Sequence, residues 1–433
     1  MRAALWRGWI GGSLLWALIA LPAHAQQPLR AGLGVADLPT PLDAPMGGYG
    51  GLRDRRATSV HDPPQARALL LEGSGLRVAW VSLDIVIVRP ELRASLAQRV
   101  EALGLDGLLL AATHTHSGPG GYIEGFLAER ITSGSFDPRA REGLLAAAVD
   151  ALDQARSDLH AVRVRTGEGG ADLAENRRDP DGSRETALPV LELEALEAST
   201  PPIVVFAYGA HPTLWSPRNR AYSADYVGAA RAWLDQRGVR SLFLGGPMGD
   251  QGPRSGSGPL GSWSLDQEER QVEEMGQGLG EATEATLAAL RLGESELAVV
   301  EREVDLPELR LRRPCALWLV SPLIQGAVRE LLSPRVRFQV YAVGPARVVG
   351  IPAEPSSDLG RAIRERIAER FPGSIPFVVA HANDWAGYAV TESAYARGGY
   401  EACLSFRGPG FGAWLVQAAD DALEGLNERM QTP

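Results

Sequence analysis

The run Thr113-His114-Thr115-His116-Ser117-Gly118-Pro119-Gly120-Gly121 places two imidazoles two residues apart, directly after the apolar stretch Leu108-Leu109-Leu110-Ala111-Ala112. Side chains alternate along a strand, so a strand ending here turns both rings toward one cleft. The Gly-Pro-Gly-Gly turn that follows lets backbone come close to a ligand. Alone, the pair is equally compatible with a surface turn, because a metal site needs further ligands.

Further ligands are scarce but well placed. The seven histidines are His24, His61, His114, His116, His160, His211 and His381. Strand-like Ile203 to Tyr208 runs into Gly209-Ala210-His211, Val348 to Ile351 runs into Pro352-Ala353-Glu354, and Phe377 to Ala380 runs into His381-Ala382-Asn383-Asp384. Four strand ends therefore deliver the His114/His116 pair, His211, Glu354 and the Asn383 to Tyr388 loop to the edge where α/β sheets bind ligands. Histidines plus one carboxylate form a reasonable zinc set, in which the metal keeps one position for water. Each residue singly reads as well as a helix cap or an arginine partner. Jointly they favour a metal. By type alone Tyr388 and Tyr400 read as aromatic packing, and Asp84 as a helix N-cap or the partner of a metal-bound histidine.

The elements that must position these residues alternate along the chain. Strands are expected at Leu76 to Val88 with its end at Asp84, Gly107 to Ala112, Ala161 to Thr166, Leu188 to Ala195, Ile203 to Tyr208, Ser241 to Leu244, Leu297 to Val304, twice within Val336 to Ile351, and Ile375 to Ala380. Helices are expected at Pro90 to Leu103, Glu142 to Ser157, Asp225 to Gln236, Leu265 to Leu292, Ser357 to Arg370 and Gly412 to Met430. The fold class is α/β, with mixed β-sheets flanked by helices and the site at strand C-terminal ends. Gly245 to Gly261, rich in Gly, Pro and Ser, reads as one long functional loop.

Met1 to Ala25 opens with Arg2 and Arg7, runs through an apolar stretch and ends Ala23-His24-Ala25, the pattern of a cleavable signal peptide. The mature chain, 26–433, is then expected to be one secreted or periplasmic domain without a membrane span. A formal charge of −10 argues against nucleic acid or an anionic membrane as partner. With only Cys315 and Cys403, the fold is not disulfide-built, and the two read equally as one bridge or two free thiols.

In order over nearly the whole mature chain, the sequence resembles the catalytic domain of the neutral/alkaline ceramidases, zinc amidases that cut the N-acyl bond of sphingolipids. The resemblance rests on Ala31-Gly32-Leu33-Gly34, Pro45-Met46-Gly47-Gly48-Tyr49-Gly50, Val60-His61-Asp62-Pro63, Ser82-Leu83-Asp84, the His114/His116 run, Asn176-Arg177, His211-Pro212, Ser223-Ala224-Asp225-Tyr226, Gly249-Asp250, Ile351-Pro352-Ala353-Glu354, and Tyr388 with Tyr400-Glu401. It implies that His114, His211, Glu354 and Tyr388 bind zinc (Zn2+), that His116 lies beside the metal, and that Arg177 and Tyr400 line the catalytic pocket. Zinc would activate water and polarise the scissile carbonyl, the imidazole would shuttle a proton, and Arg177 and Tyr400 would donate to the oxyanion.

Two departures bear on substrate. The family's Gly-Asp-x-Ser-Pro segment reads Gly249-Asp250-Gln251-Gly252-Pro253 here, leaving Ser255 or Ser257 as stand-ins or none at all. The family's C-terminal β-sandwich domain is also expected to be absent. The expectation is a zinc amidohydrolase acting on an N-acylated, lipid-like small molecule. The alternatives are a zinc esterase or deacylase on a non-ceramide substrate, a zinc-binding relative without turnover, and a structural protein without metal.

Overall fold

The structure is a computed structural model that describes residues 28–50, 55–125, 128–254, 262–312 and 322–431. The expected signal segment, Ser255, Ser257 and Cys315 lie outside the described residues; Cys403 is disulfide-bonded.

Two sheets stack face to face between two layers of helices. The larger sheet contains β1 (Arg30–Asp37), β2 (Gln65–Gly73), β3 (Leu76–Leu83), β4 (Gly107–Ala112), β5 (His160–Gly170), β6 (Ala187–Ala195), β7 (Ile203–Tyr208) and β8 (Arg240–Gly245). Their order is β8-β7-β6-β5-β1-β2-β3-β4, with the short strand Arg291–Leu292 attached to β5. The smaller sheet runs β9 (Leu297–Asp305), β10 (Arg335–Val343), β11 (Ala346–Gly350) and β12 (Ile375–Val379). Within these two sheets, β3/β4, β7/β8 and β11/β12 pair in parallel and the other pairings are antiparallel. Strands β4 and β7 are buried at every position, which is why they read as unbroken apolar runs and not as alternation.

Trp80, Leu109, Val205 and Leu242 of the larger sheet meet Tyr341, Val348 and Phe377 of the smaller one in the central core. Outside the larger sheet lie α1 (Pro90–Arg99), α2 (Pro138–Ser157), α3 (Tyr226–Asp235) and α4 (Leu265–Leu287). After α5 (Pro322–Leu331), α6 (Ser357–Arg370) covers the smaller sheet together with the last helix, Phe411–Gln431. The Gly32/Gly34 pair has a packing role. A Cβ at either would strike the carbonyl oxygens of Ala155 or Ala151, so α2 lies directly on the β1 backbone.

The larger sheet curls until its far strands approach. Ser82 Oγ on β3 donates to Phe243 O on β8 at 2.8 Å, and Arg67 on β2 donates to Ser241 O at 2.8 Å. No backbone ladder closes a barrel among the described residues. The curl brings the C-terminal ends of β4 and β7 together. The smaller sheet docks on them through an Ala111–Ala382 bridge and an Asn383 N to Leu110 O hydrogen bond of 2.7 Å.

Two expectations from sequence are revised. The expected Leu265 to Leu292 helix stops at Leu287, because Arg291–Leu292 finds a strand partner in Arg165 and Thr166. Gly245 to Gly261 is not one loop, since Gln251–Pro253 forms a strand against Ala174–Asn176.

Candidate metal centre and active site

Four strand ends meet at one buried point. His114 follows β4, His211 follows β7, Glu354 follows β11, and Tyr388 lies beyond β12. Glu354–Pro355 and Tyr388–Ala389 pair as a short parallel ladder, which fixes the carboxylate beside the phenol. His114 and His211 each hold Nδ1 against a backbone carbonyl, Val86 O at 2.6 Å and Gln251 O at 2.8 Å. A carbonyl can only accept, so Nδ1 carries the proton in both rings and each Nε2 presents a lone pair. Those lone pairs face Glu354 Oε1, which lies 2.8 Å from His211 Nε2 and 3.5 Å from His114 Nε2. Oε1 has no hydrogen-bond partner, while Oε2 accepts from Trp385 Nε1 at 3.1 Å. The Tyr388 hydroxyl adds an oxygen 3.4 Å from His211 Nε2.

His114, His211 and Glu354 form a buried group that could hold a metal ion, their ligand atoms all within 4.8 Å of one another. Burial keeps both imidazoles below their usual range, with Arg177 and His114 adding to the effect at His211. Burial, reinforced by Glu354, pushes the Tyr388 phenol well up. The donors thus fit a cation: soft-to-borderline nitrogens and a carboxylate, all presenting electron pairs.

His116 lies beside this group, its Nε2 3.3 Å from His114 Nε2. Burial and the neighbouring histidines hold it well below the usual imidazole range. A clamp fixes it from outside. The Tyr49 ring meets His116 edge to face at 4.8 Å, the Arg55 guanidinium lies over Tyr49, and Arg55 Nη2 donates to His116 O at 2.5 Å. Gly48 has φ +103°, and a Cβ there would overlap His116, so this loop can close over the ring only with glycine. Arg177 donates to Gly249 O at 2.7 Å and Glu401 at 2.9 Å, and Arg178 also binds Glu401. The Tyr400 ring lies 5.7 Å from that of Tyr388 and is 55% exposed, at the outer wall.

Residues 29–241 match the family model described as "Neutral/alkaline non-lysosomal ceramidase, N-terminal". The neutral ceramidase of Pseudomonas aeruginosa is 29% identical over 160 residues, covering 35% of this chain and 24% of that protein. The neutral ceramidase of Mycobacterium tuberculosis is 27% identical over 244 residues, covering 51% of this chain and 38% of its own length. The matched stretches thus span well under half of these relatives. A solved structure of the Pseudomonas aeruginosa enzyme superposes with a TM-score of 0.78 at 23% identity, covering 93% of this chain and 75% of that one. Over the matched residues, this chain belongs to the neutral/alkaline ceramidase family.

At Gly252 the ceramidase pattern is replaced by packing. A Cβ added there would lie 3.0 Å from Arg177 Cγ and 3.3 Å from Cδ, so the arginine stem covers the face where the family's serine begins. Asp84 does not orient a histidine. It pairs with the buried Arg231 at 3.1 Å and 2.5 Å and accepts from Gln65 N. Carbonyls take the histidine protons instead.

Sequence reasoning missed Trp385, Tyr49 and Arg55 as supports, and Glu401 as the anchor of Arg177. It also left His381 unassigned, although that residue ends a strand as the other site histidines do. The His381 ring is fully buried and stacks on His114 at 4.1 Å and 12°. His114, His381 and Asn383 all have φ near +50 to +70°, a left-handed conformation that costs a non-glycine residue on the order of 1–3 kcal/mol.

Proposed function

We propose that the protein is a zinc-dependent amidohydrolase that cleaves an N-acyl bond of a small, lipid-like substrate. The observation that carries this reading is the meeting of two imidazole lone pairs and a bare carboxylate oxygen at one buried point. The nearby donors, the Tyr388 hydroxyl and His116 Nε2, face the imidazole nitrogens and leave the buried carboxylate oxygen bare, an arrangement that a cation would satisfy. His114, His211, Glu354 and Tyr388 would hold the metal, which supplies Lewis acidity to polarise the scissile carbonyl and activate water.

The protein's own groups do the rest. His116, neutral and clamped by Tyr49, is able to relay a proton toward the leaving nitrogen, taking one up at its partnerless Nδ1 as it gives up the proton on Nε2. Arg177 keeps a buried Nε–H without a partner, and with the Tyr400 hydroxyl it offers donors to the developing oxyanion. The relatives are named neutral ceramidases, which supports an amide substrate of the N-acylated sphingoid kind. The N-terminal 25 residues support action outside the cytoplasm.

Gly252 favours a second reading, in which the substrate is a non-ceramide amide or ester, since the family hydroxyl is absent and the Arg177 stem stands in its place. Elemental analysis, followed by hydrolysis of ceramide and a panel of N-acyl amino compounds and esters with and without chelator, tests both readings. About one zinc per chain and chelator-sensitive hydrolysis are expected. Metal-free protein with full activity overturns the mechanism, and rapid ceramide turnover removes the second reading.

A further inference from the structure

We infer that His381 is a positioning residue of the metal centre, acting through the face of its ring on His114. The inference rests on the zinc reading above. His381 is fully buried, and neither of its nitrogens has a hydrogen-bond partner, so no polar contact accounts for the ring's place. Among the described residues its one ring contact is the near-parallel stack on His114, with centroids 4.1 Å apart and planes 12° apart.

The backbone builds that stack deliberately. Strands β4 and β12 leave their sheets side by side through the Ala111–Ala382 bridge, Ala112 N donates to His381 O at 3.3 Å, and His381 N donates to Ala353 O at 3.2 Å. His114 and His381 then turn left-handed at φ +69° and +52°, which lays one ring over the other.

The same geometry argues against His381 as a ligand. An imidazole binds a metal along the lone pair in its own plane, at about 2.0–2.1 Å. Two nearly parallel rings stacked with centroids 4.1 Å apart direct their in-plane lone pairs side by side and not to one point, so His381 and His114 do not share an ion. What the stack does provide is orientation. The Val86 carbonyl fixes the Nδ1 edge of His114 and the rings of His116 and His211 meet it edge to face at 4.8 and 4.9 Å, so a swing of the ring plane is left to be limited at its flat face. A flat partner pressed on its face removes the swing and keeps Nε2 aimed at Glu354 and His211.

The test uses His381→Leu, which keeps bulk without a flat face, and His381→Phe, which keeps the face without nitrogens. Chelator-stripped full-length protein is titrated with Co2+, and the dissociation constant and visible absorption spectrum are recorded along with the metal-free melting temperature. His381→Leu is expected to bind Co2+ on the order of tenfold more weakly with an altered spectrum, as supporting residues of metal sites do. His381→Phe is expected to restore both. Equal affinity and spectra in His381→Leu and wild type overturn the inference alone, and so does a His381→Phe variant as impaired as His381→Leu, which would assign the role to the nitrogens. Wild-type protein that takes up no Co2+ overturns the zinc reading and this inference with it.

Discussion

Replacing Glu354 with glutamine should move stability in opposite directions with and without metal. In the metal-free protein Glu354 Oε1 faces two lone pairs, at 2.8 Å on His211 and 3.5 Å on His114, and has no donor of its own. A glutamine can keep its oxygen on Trp385 Nε1, now 3.1 Å from Oε2, and turn its amide N–H toward His211 Nε2. A buried acceptor left without a donor costs about 1–3 kcal/mol. Supplying one should therefore raise the melting temperature of the metal-free variant by about 1–6 °C, taking roughly 1–2 °C per kcal/mol by extrapolation to a chain of this size.

Metal reverses the order. At a hundredfold excess over its dissociation constant zinc adds about 2.7 kcal/mol to wild type by mass action, whereas a variant lacking one of the converging ligands gains little at the same concentration. Differential scanning of chelator-stripped protein at about pH 8, where free imidazole and carboxyl groups are both deprotonated, reads the two shifts directly. The acceptor-cluster argument fails if metal-free Glu354→Gln melts below metal-free wild type, or if zinc stabilises both proteins equally.

Three other expectations concern the pocket wall and the periphery. Gly252→Ser puts a Cβ 3.0 Å from Arg177 Cγ, and the crowding should lower kcat/KM about tenfold with a small loss of stability, as mild overpacking does; a rise in rate with a trappable acyl-enzyme would show that serine chemistry is open to this chain. Tyr400→Phe, at the half-exposed outer wall, should lower kcat about a hundredfold while metal content and melting temperature stay at wild type, and a collapse in melting temperature would make it a packing residue instead. His61 hydrogen-bonds Asp62 and Glu269 at 3.0 Å each, and chiefly through Asp62 its pKa is raised from 6.5 to about 9. A raised folded pKa means that its contribution is complete below pH 6.5 and lost as pH rises through about 9, so the stability difference between wild type and His61→Gln should shrink across that window. A difference that does not change from pH 6 to pH 10 would remove His61 as a source of pH dependence.

Sequence made the site legible where chemistry and periodicity coincide. Runs such as Gly107–Ala112 and Ile203–Tyr208 are apolar throughout, end abruptly and hand over to a histidine, so strand, boundary and candidate ligand were all readable together. Strand β1, with Gly32 and Gly34 inside it, was invisible because its glycines are set by contact with Ala151 and Ala155 more than a hundred residues away. The same holds for the supports of the site. Trp385 and Arg55 act through single contacts made across the fold, and nothing in their local spacing marks them.

The decisive property of the centre was also hidden, because it lies in which atoms hold protons. His114 and His211 could have donated from Nε2 to Glu354 and formed an ordinary buried polar cluster needing no ion. They do not, because Val86 and Gln251 present carbonyls to the opposite nitrogen of each ring. Two backbone oxygens, whose positions follow from how the curled sheet brings β4 and β7 together, thus make both imidazole edges facing the carboxylate acceptors, with the Tyr388 hydroxyl and His116 Nε2 as their neighbouring donors. Side-chain identity makes a metal site conceivable here, and main-chain geometry makes an empty one costly.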